Sequence, residues 1–306
     1  MKNHKQRWAV NRLSLVTAGF TFLLIILGAW VTNSDAGDSI PTWPLAFGRI
    51  LPINRLSGGA AYEYSHRLLG GVVDILTLIL VLWLFFRERR GWVKWVGVLA
   101  ILLFAGQVFL GRLRVTLGVE YSVTASVAHA VAAELFLAVI VGLTVFTSPG
   151  WVRAGELRAG YPRMKNALVL FISSIAAVFL VVQAVLSAAY SHGTLGMVPY
   201  AAWGILVAGA VIWSSLLVVR LGHDRERAFP YIVTPAQLAA WFLLIQIALG
   251  IALYMVWSRF ASIQPPSEKA VIIGVLHSAF GAALLSDQII LVLRVYRMVP
   301  ITEAQA

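Results

Sequence analysis

The sequence contains no cysteine among its 306 residues. A disulfide, a thiolate metal site and a cysteine nucleophile are therefore excluded. Charge is also scarce, since 12 % of the residues are charged and 60 % are hydrophobic. A soluble domain could hardly cover its surface with so few charges. We therefore interpret the chain as a protein of the membrane, with lipid as a contacting partner.

The hydrophobic residues form runs long enough to cross a bilayer, which takes about 20 residues. Eight spans are predicted, at residues 13–32, 66–86, 93–112, 123–147, 167–190, 199–219, 236–257 and 271–293. No small-residue cleavage site follows the basic segment Met1 to Arg12, so we expect a retained first helix and not a signal peptide. These runs predict a multi-pass membrane protein.

The basic residues outnumber the acidic ones, and the net charge is +11. They lie in short clusters between apolar runs, which is not the pattern of a nucleic-acid-binding face. Most of them flank the N-terminus and alternate loops, so the positive-inside rule predicts that both termini are cytoplasmic. We expect the protein in the inner (plasma) membrane.

Two segments repeat along the chain. Gln107 to Gly111 is echoed by Gln246 to Gly250, and Val127 to His129 is echoed by Val275 to His277. The repeat predicts an all-α membrane fold, with eight transmembrane helices as two tandem four-helix bundles. We place the N-terminal bundle at residues 1–150, a cytoplasmic linker rich in Gly, Pro and charge at 151–166, and the C-terminal bundle at 167–306.

Three of the six histidines, His66, His129 and His277, fall inside apolar spans, where an ionisable side chain is costly and usually functional. All three are expected in one layer near the outer helix ends. Two facing imidazoles at that depth can form an axial pair for a heme iron. A hydrogen-bonded structural histidine is the alternative for each.

Neighbouring residues are compatible with a porphyrin. Small residues near the three histidines would admit a macrocycle or simply pack helices closely; they are Gly70, Gly71, Ala125, Ala132, Ala133, Gly274, Gly281 and Ala282. Arg67, Arg112 and Arg114 are placed for heme propionates, or else extend to lipid headgroups.

Carboxylates offer further chemistry. Glu63 precedes His66 by three residues, a spacing also found in di-iron bundles, but such a centre needs more glutamates than Glu134 provides. Asp74, Glu134 and Asp287 lie deeper, as proton-pathway groups or as helix-to-helix hydrogen bonds.

Taken together, the segments Gly28 to Leu45, Glu63 to Arg67 and Gln107 to Gly111, with the surroundings of His129 and His277, resemble heme A synthase. The resemblance covers nearly the whole chain and is more specific in the first half. It implies oxidation of the C8 methyl group of heme O to the formyl group of heme A for terminal oxidases. It also implies a heme O donor (a farnesylating synthase) and oxidase assembly proteins as partners; a homo-oligomer is left open.

The resemblance assigns roles to residues. His66 and His129 become the iron ligands of the substrate heme O, and Glu63 beside them becomes a catalytic or proton-handling carboxylate. His277 becomes a ligand of a second heme, a heme b cofactor, because the family normally has histidine pairs from helices 2 and 4 and from helices 6 and 8.

The chain departs from this pattern twice. Ile40 and Pro41 stand where family members often have a cysteine pair in the first outer loop, so electron delivery through those thiols is excluded. Helix 6, at 199–219, contains no histidine. His192 in the preceding loop is a candidate partner for His277, followed by Met197, five-coordinate iron and a site without heme.

Two other functions compete with the enzyme. A non-catalytic heme-binding membrane subunit, for electron transfer or scaffolding in a respiratory complex, would explain the missing histidine. A transporter is supported only by the repeated architecture, and no pair of broken helices marks a midplane substrate site.

Overall fold

The computed structural model describes residues 2–117, 119–151, 166–223, 229–260 and 266–298. Within these ranges, eight helices are long and apolar enough to cross a membrane. They are α1 (Lys2–Asn33), α2 (Gly59–Arg87), α3 (Gly91–Thr116), α4 (Val119–Thr147), α5 (Asn166–Ser191), α6 (Met197–His223), α7 (Phe229–Phe260) and α8 (Glu268–Met298). The eight predicted spans and the all-α membrane fold are confirmed.

The helices pack as two rings of four. In the first ring α1 contacts α2 and α4, and α3 contacts the same two helices; α5 to α8 repeat this arrangement. Helices α2 and α4 therefore lie diagonally across the first bundle, as α6 and α8 do across the second. The predicted division at residues 150 and 166 stays a prediction, because nearly all of the linker at 151–166 lies outside the described residues.

The two bundles meet along α8 and α4. Helix α8 contacts α1 and α4 of the first bundle, and α4 also contacts α5. Gly274 of α8 allows this close approach, because a methyl group there would overlap the side chain of Asn33 at the end of α1. Small residues commonly let helix backbones approach each other in membranes.

Buried polar side chains join helices within each bundle. The hydroxyls of Ser14 (α1) and Thr147 (α4) lie 3.1 Å apart. In the second bundle, Gln288 of α8 donates to the carbonyl of Ser173 (3.0 Å), whose hydroxyl lies 2.9 Å from that of Ser214. Such interhelical hydrogen bonds can stabilise packing where lipid gives no hydrophobic driving force between helices.

Helix α2 begins at Gly59, well before the predicted start at residue 66. The added first part of the helix is polar, and it is stabilised by an ion pair between Glu63 and Arg67, four residues apart on one face. Hydropathy marks only where the apolar run starts, whereas the helix itself begins earlier, in a polar segment.

Helix α7 also begins earlier than predicted and passes through Pro235. Proline has no N–H, so the carbonyl of Tyr231 loses its usual helical donor. Arg294 of α8 replaces that donor, since its Nη1 lies 3.0 Å from the Tyr231 oxygen. The neighbouring helix therefore satisfies the carbonyl that the proline leaves free.

Candidate functional site

His66 and His129 face each other inside the first bundle. His66 lies in the second turn of α2 and His129 in the third turn of α4, near the end that carries the α1–α2 loop, residues 34–58; we call this the loop end. Their ring centroids are 6.5 Å apart, with the ring planes at 71°. Two helices on opposite sides of the bundle thus direct their imidazoles to one point between them.

A glycine on the preceding helix receives each imidazole. A methyl group at Gly28 of α1 would lie 3.0 Å from Cε1 of His66, and one at Gly111 of α3 would lie 3.7 Å from Cε1 of His129. In both rings Nδ1 is nearer than Nε2 to this glycine. Each ring therefore contacts its glycine through the edge that carries Cε1.

This geometry fits a metal held between the two rings. Bonds of about 2 Å from a metal to each imidazole nitrogen place the two nitrogens about 4 Å apart, and the ring centroids lie farther apart by the radius of each ring. The observed 6.5 Å agrees. The residues of the first bundle can thus accept the iron of a heme.

Glu63 and Arg67 connect α2 to the α1–α2 loop. Glu63, only 4 % exposed, pairs with Arg67 through Oε1 and accepts a hydrogen bond of 2.9 Å from the backbone N–H of Ile40 through Oε2. Arg67 donates to the carbonyls of Thr42 (2.7 Å) and Ile40 (3.1 Å). The pair holds the loop at 40–42 over the bundle.

The other two predicted propionate ligands, Arg112 and Arg114, lie at the end of α3. Arg112 is exposed and stacks on the ring of Trp43 in the loop, 5.7 Å from its centroid. Arg114 packs on the backbone of Gly37, where a methyl group would overlap its guanidinium. Arg114 also interacts electrostatically with His66 and His129, so it is the cation best placed beside them.

His192, in the short connection between α5 and α6, belongs to the same neighbourhood. Burial lowers its pKa, and the charge of Arg114 lowers that pKa further. His192 also interacts electrostatically with His129. The predicted candidate partner of His277 therefore lies close to the first-bundle pair.

His277 occupies in α8 the place that His129 has in α4. A methyl group at Gly250 of α7 would lie 3.2 Å from its Cε1. Its Nε2, however, lies 3.0 Å from the hydroxyl of Tyr200 and 3.2 Å from Nε2 of Gln246. Nε2 of His277 is therefore already engaged by protein groups.

The deeper carboxylates stay separate from the histidine pair. Glu134 and Asp287 each have a buried carboxylate oxygen without a hydrogen-bond partner in the described part of the chain, and Asp74 is half-buried. In these ranges no three His, Asp or Glu side chains are grouped closely enough to hold a metal ion.

The contacts that were not predicted from the sequence include those of Gly28 with His66, Gly37 with Arg114, and Tyr200 with His277. A signal for the last was present. Gln183 and Ser187 of α5 have the four-residue spacing of Gln107 and Gly111. This spacing indicates that α5 offers a small residue to a side chain of α6, as α3 offers Gly111 to His129.

The sequence matches known proteins over much of its length. Residues 11–203 match the COX15-CtaA family, described as cytochrome oxidase assembly proteins. Among curated relatives, heme A synthase of Shouchella clausii is 31 % identical over 111 residues, covering 36 % of each chain. Heme A synthase of Exiguobacterium sp. is 37 % identical over 98 residues, 31 % of this chain and 32 % of the relative.

A third relative, heme A synthase of Maricaulis maris, is 36 % identical over 144 residues, 42 % of this chain and 41 % of its own. The chain therefore matches less than half of the length of each of these relatives.

Proposed function

Because this chain belongs to the COX15-CtaA family of cytochrome oxidase assembly proteins, we propose that it is a heme A synthase that binds heme O in its first bundle. The observation that carries this proposal is the pair His66 and His129, whose rings face each other at 6.5 Å. That separation is compatible with an iron porphyrin that both imidazoles would hold. Its relatives named heme A synthase support the reaction.

In this function the C8 methyl group of the substrate heme O is oxidised to a formyl group by successive hydroxylations. This change adds an oxygen atom and removes electrons, so O2 or water must supply the oxygen and an oxidant from outside the chain must accept the electrons. The bound iron porphyrin supplies the redox chemistry. His66 and His129 would hold and orient it through Nε2, with their ring positions fixed by the glycines of the preceding helices. Arg114 would bind a propionate at the loop end, since guanidinium geometry matches a carboxylate.

Glu63 supports the site by holding the α1–α2 loop. Both of its carboxylate oxygens are occupied, one by Arg67 and one by the Ile40 N–H. We propose that the pair closes the loop over the heme and excludes water. The sequence-based role of Glu63 in catalysis or proton handling stays a prediction, to be tested against this positioning role.

The experiment is to express the full chain in a host that makes heme O but no heme A, and to extract and chromatograph the hemes. Hydroxylated heme or heme A is the expected product. Bound heme O or heme b without oxidation would contradict the enzyme. A His66→Ala variant, with His223→Ala as a control in a basic segment, identifies the site.

One observation favours a second candidate, a non-catalytic heme-binding subunit for electron transfer or scaffolding in a respiratory complex. In the second bundle His277 is bound to Tyr200 and Gln246, so a resident redox heme there would have to displace them. The same extraction distinguishes the two functions, because a subunit of this kind returns its heme unaltered.

We further propose that the chain lies in the plasma membrane with both termini in the cytoplasm, where a heme O donor and oxidase assembly proteins are its partners. The distribution of lysine and arginine supports the orientation. The chain has no cysteine, so single introduced cysteines can be mapped without background. Labelling of Ser57→Cys by an impermeant maleimide in intact cells is expected, and labelling of Ser148→Cys would contradict the orientation.

A further inference from the structure

The three membrane histidines share one packing arrangement. Each imidazole lies against a glycine of the helix that precedes its own in the chain. The three pairs are Gly28 with His66, Gly111 with His129, and Gly250 with His277. They occupy the contacts α1–α2, α3–α4 and α7–α8, which leaves α5–α6 as the fourth equivalent helix pair.

Tyr200 fills this fourth place. It lies near the start of α6, and the side chains of Ser187 and Gln183 of α5 lie close to its hydroxyl. Its ring stacks on Tyr190, with centroids 5.1 Å apart and an interplanar angle of 2°. Tyr200 therefore has on α6 the place that His66 has on α2, and it faces His277 as His66 faces His129.

The two bundles differ in the space between the facing groups. An iron between two ligands needs about 2 Å on each side, or about 4 Å between donor atoms. In the second bundle the Tyr200 hydroxyl and Nε2 of His277 are only 3.0 Å apart. Gln246 lies 3.2 Å from the same nitrogen. The residues present do not fit a heme at this place.

We infer that the second bundle contains a closed hydrogen-bonded cluster of Tyr200, His277 and Gln246 at the place where the first bundle binds heme, so that the chain carries one heme. The count of one heme rests on the function proposed above; the cluster itself rests on the contacts alone. His277 is a structural group of this cluster and not an iron ligand.

The first test counts hemes. The full chain is purified from a host that makes heme b and heme O, and pyridine hemochrome absorbance is compared with protein mass. One heme per chain is expected, with loss of at least about tenfold in His129→Ala and no loss in His277→Ala. Two hemes per chain, or a heme that disappears in His277→Ala alone, would overturn the inference.

The second test reads the cluster directly and does not depend on heme. Tyr200→Phe removes only the hydroxyl, with Tyr254→Phe as the matched control at an exposed position of α7. In histidine-labelled protein, the 15N resonance of His277 Nε2 is expected to shift in Tyr200→Phe and to stay in Tyr254→Phe. An unchanged resonance would overturn the cluster, whereas a chain with an intact cluster and no heme would overturn only the proposed function.

Discussion

Glu63 accepts a hydrogen bond of 2.9 Å from the backbone N–H of Ile40, a residue of the α1–α2 loop that is itself fully buried. The partner of Glu63, Arg67, donates to two carbonyls of the same loop segment. A carboxylate expected from the sequence to take part in chemistry is thus also the group that attaches the loop to α2.

Glu63→Ala is expected to lower the free energy of unfolding by about 3 kcal/mol, because it leaves a largely buried guanidinium without its partner. Glu63→Gln keeps an acceptor for Ile40 and is expected to cost about 1–2 kcal/mol. Unfolding in detergent, followed by circular dichroism, measures both.

The matched control is Glu88→Gln, which breaks the ion pair of Glu88 with Arg90 beyond the opposite end of α2. Heme content and product should fall with stability in the Glu63 variants and stay normal in the control. A stable Glu63→Gln that binds heme fully and forms no product would instead support the catalytic role.

The glycines that contact the imidazoles predict alanine substitutions with graded effects on heme binding. Gly28→Ala is expected to displace His66 and to weaken heme binding at least about tenfold, because the added methyl would lie 3.0 Å from Cε1. Gly111→Ala should be tolerated, since its methyl would make an ordinary contact of 3.7 Å with His129. Heme titration followed at the Soret band measures the difference.

Gly19→Ala on α1 is the control for this series, because nothing lies within 4 Å of the added methyl. Equal heme affinity in Gly28→Ala and Gly19→Ala would show that the glycine does not position His66.

Arg114 is expected to contribute to heme affinity by its charge and its geometry. Arg114→Ala should weaken binding about tenfold, as expected for the loss of one charge-assisted hydrogen bond worth about 1.5 kcal/mol. Arg114→Lys should recover only part of this, because lysine lacks the planar fork. Arg55→Ala, exposed on the α1–α2 loop, is the control, and equal loss in both would indicate a general charge effect.

The sequence predicted the helices because lipid imposes long apolar runs. It singled out His66 and His129 as candidate iron ligands because an ionisable group in such a run stands out, and their role as ligands stays a prediction. It could not give the partners of Glu63, since Ile40 is 23 residues away and contributes only its backbone N–H. Tyr200 was overlooked for a different reason: an aromatic residue near a membrane helix end is ordinary, and only its contact with His277 gives it meaning.

His192 gives a prediction about pH. Its folded pKa is lowered, first by burial and then by the charge of Arg114, so protonation is less favourable in the folded chain than in the unfolded one. Above the unfolded pKa of about 6.5, His192 is neutral in both states and does not oppose folding. As pH falls from there toward the folded pKa, the unfolded chain takes up the proton first, so the folded chain loses stability. His192→Gln is expected to retain more stability than the parent chain at acid pH, measured as the difference in unfolding temperature between the two proteins.

Arg114→Ala tests the effect of the Arg114 charge on the pKa of His192 separately from burial. The 15N titration of His192 should then move to higher pH, while burial still holds its pKa below the ordinary range. A titration unchanged by this substitution would mean that the two side chains do not interact.

Pro235 and Arg294 form a pair that a double-mutant cycle can test. Arg294→Ala leaves the Tyr231 carbonyl without a donor and is expected to destabilise the protein by about 1–3 kcal/mol. Pro235→Ala restores the helical N–H, so the same arginine substitution should cost less in that background. Part of the cost should remain, because Arg294 also stacks on the Tyr231 ring at 4.6 Å. Equal costs in both backgrounds would show that the arginine does not replace the donor that proline lacks.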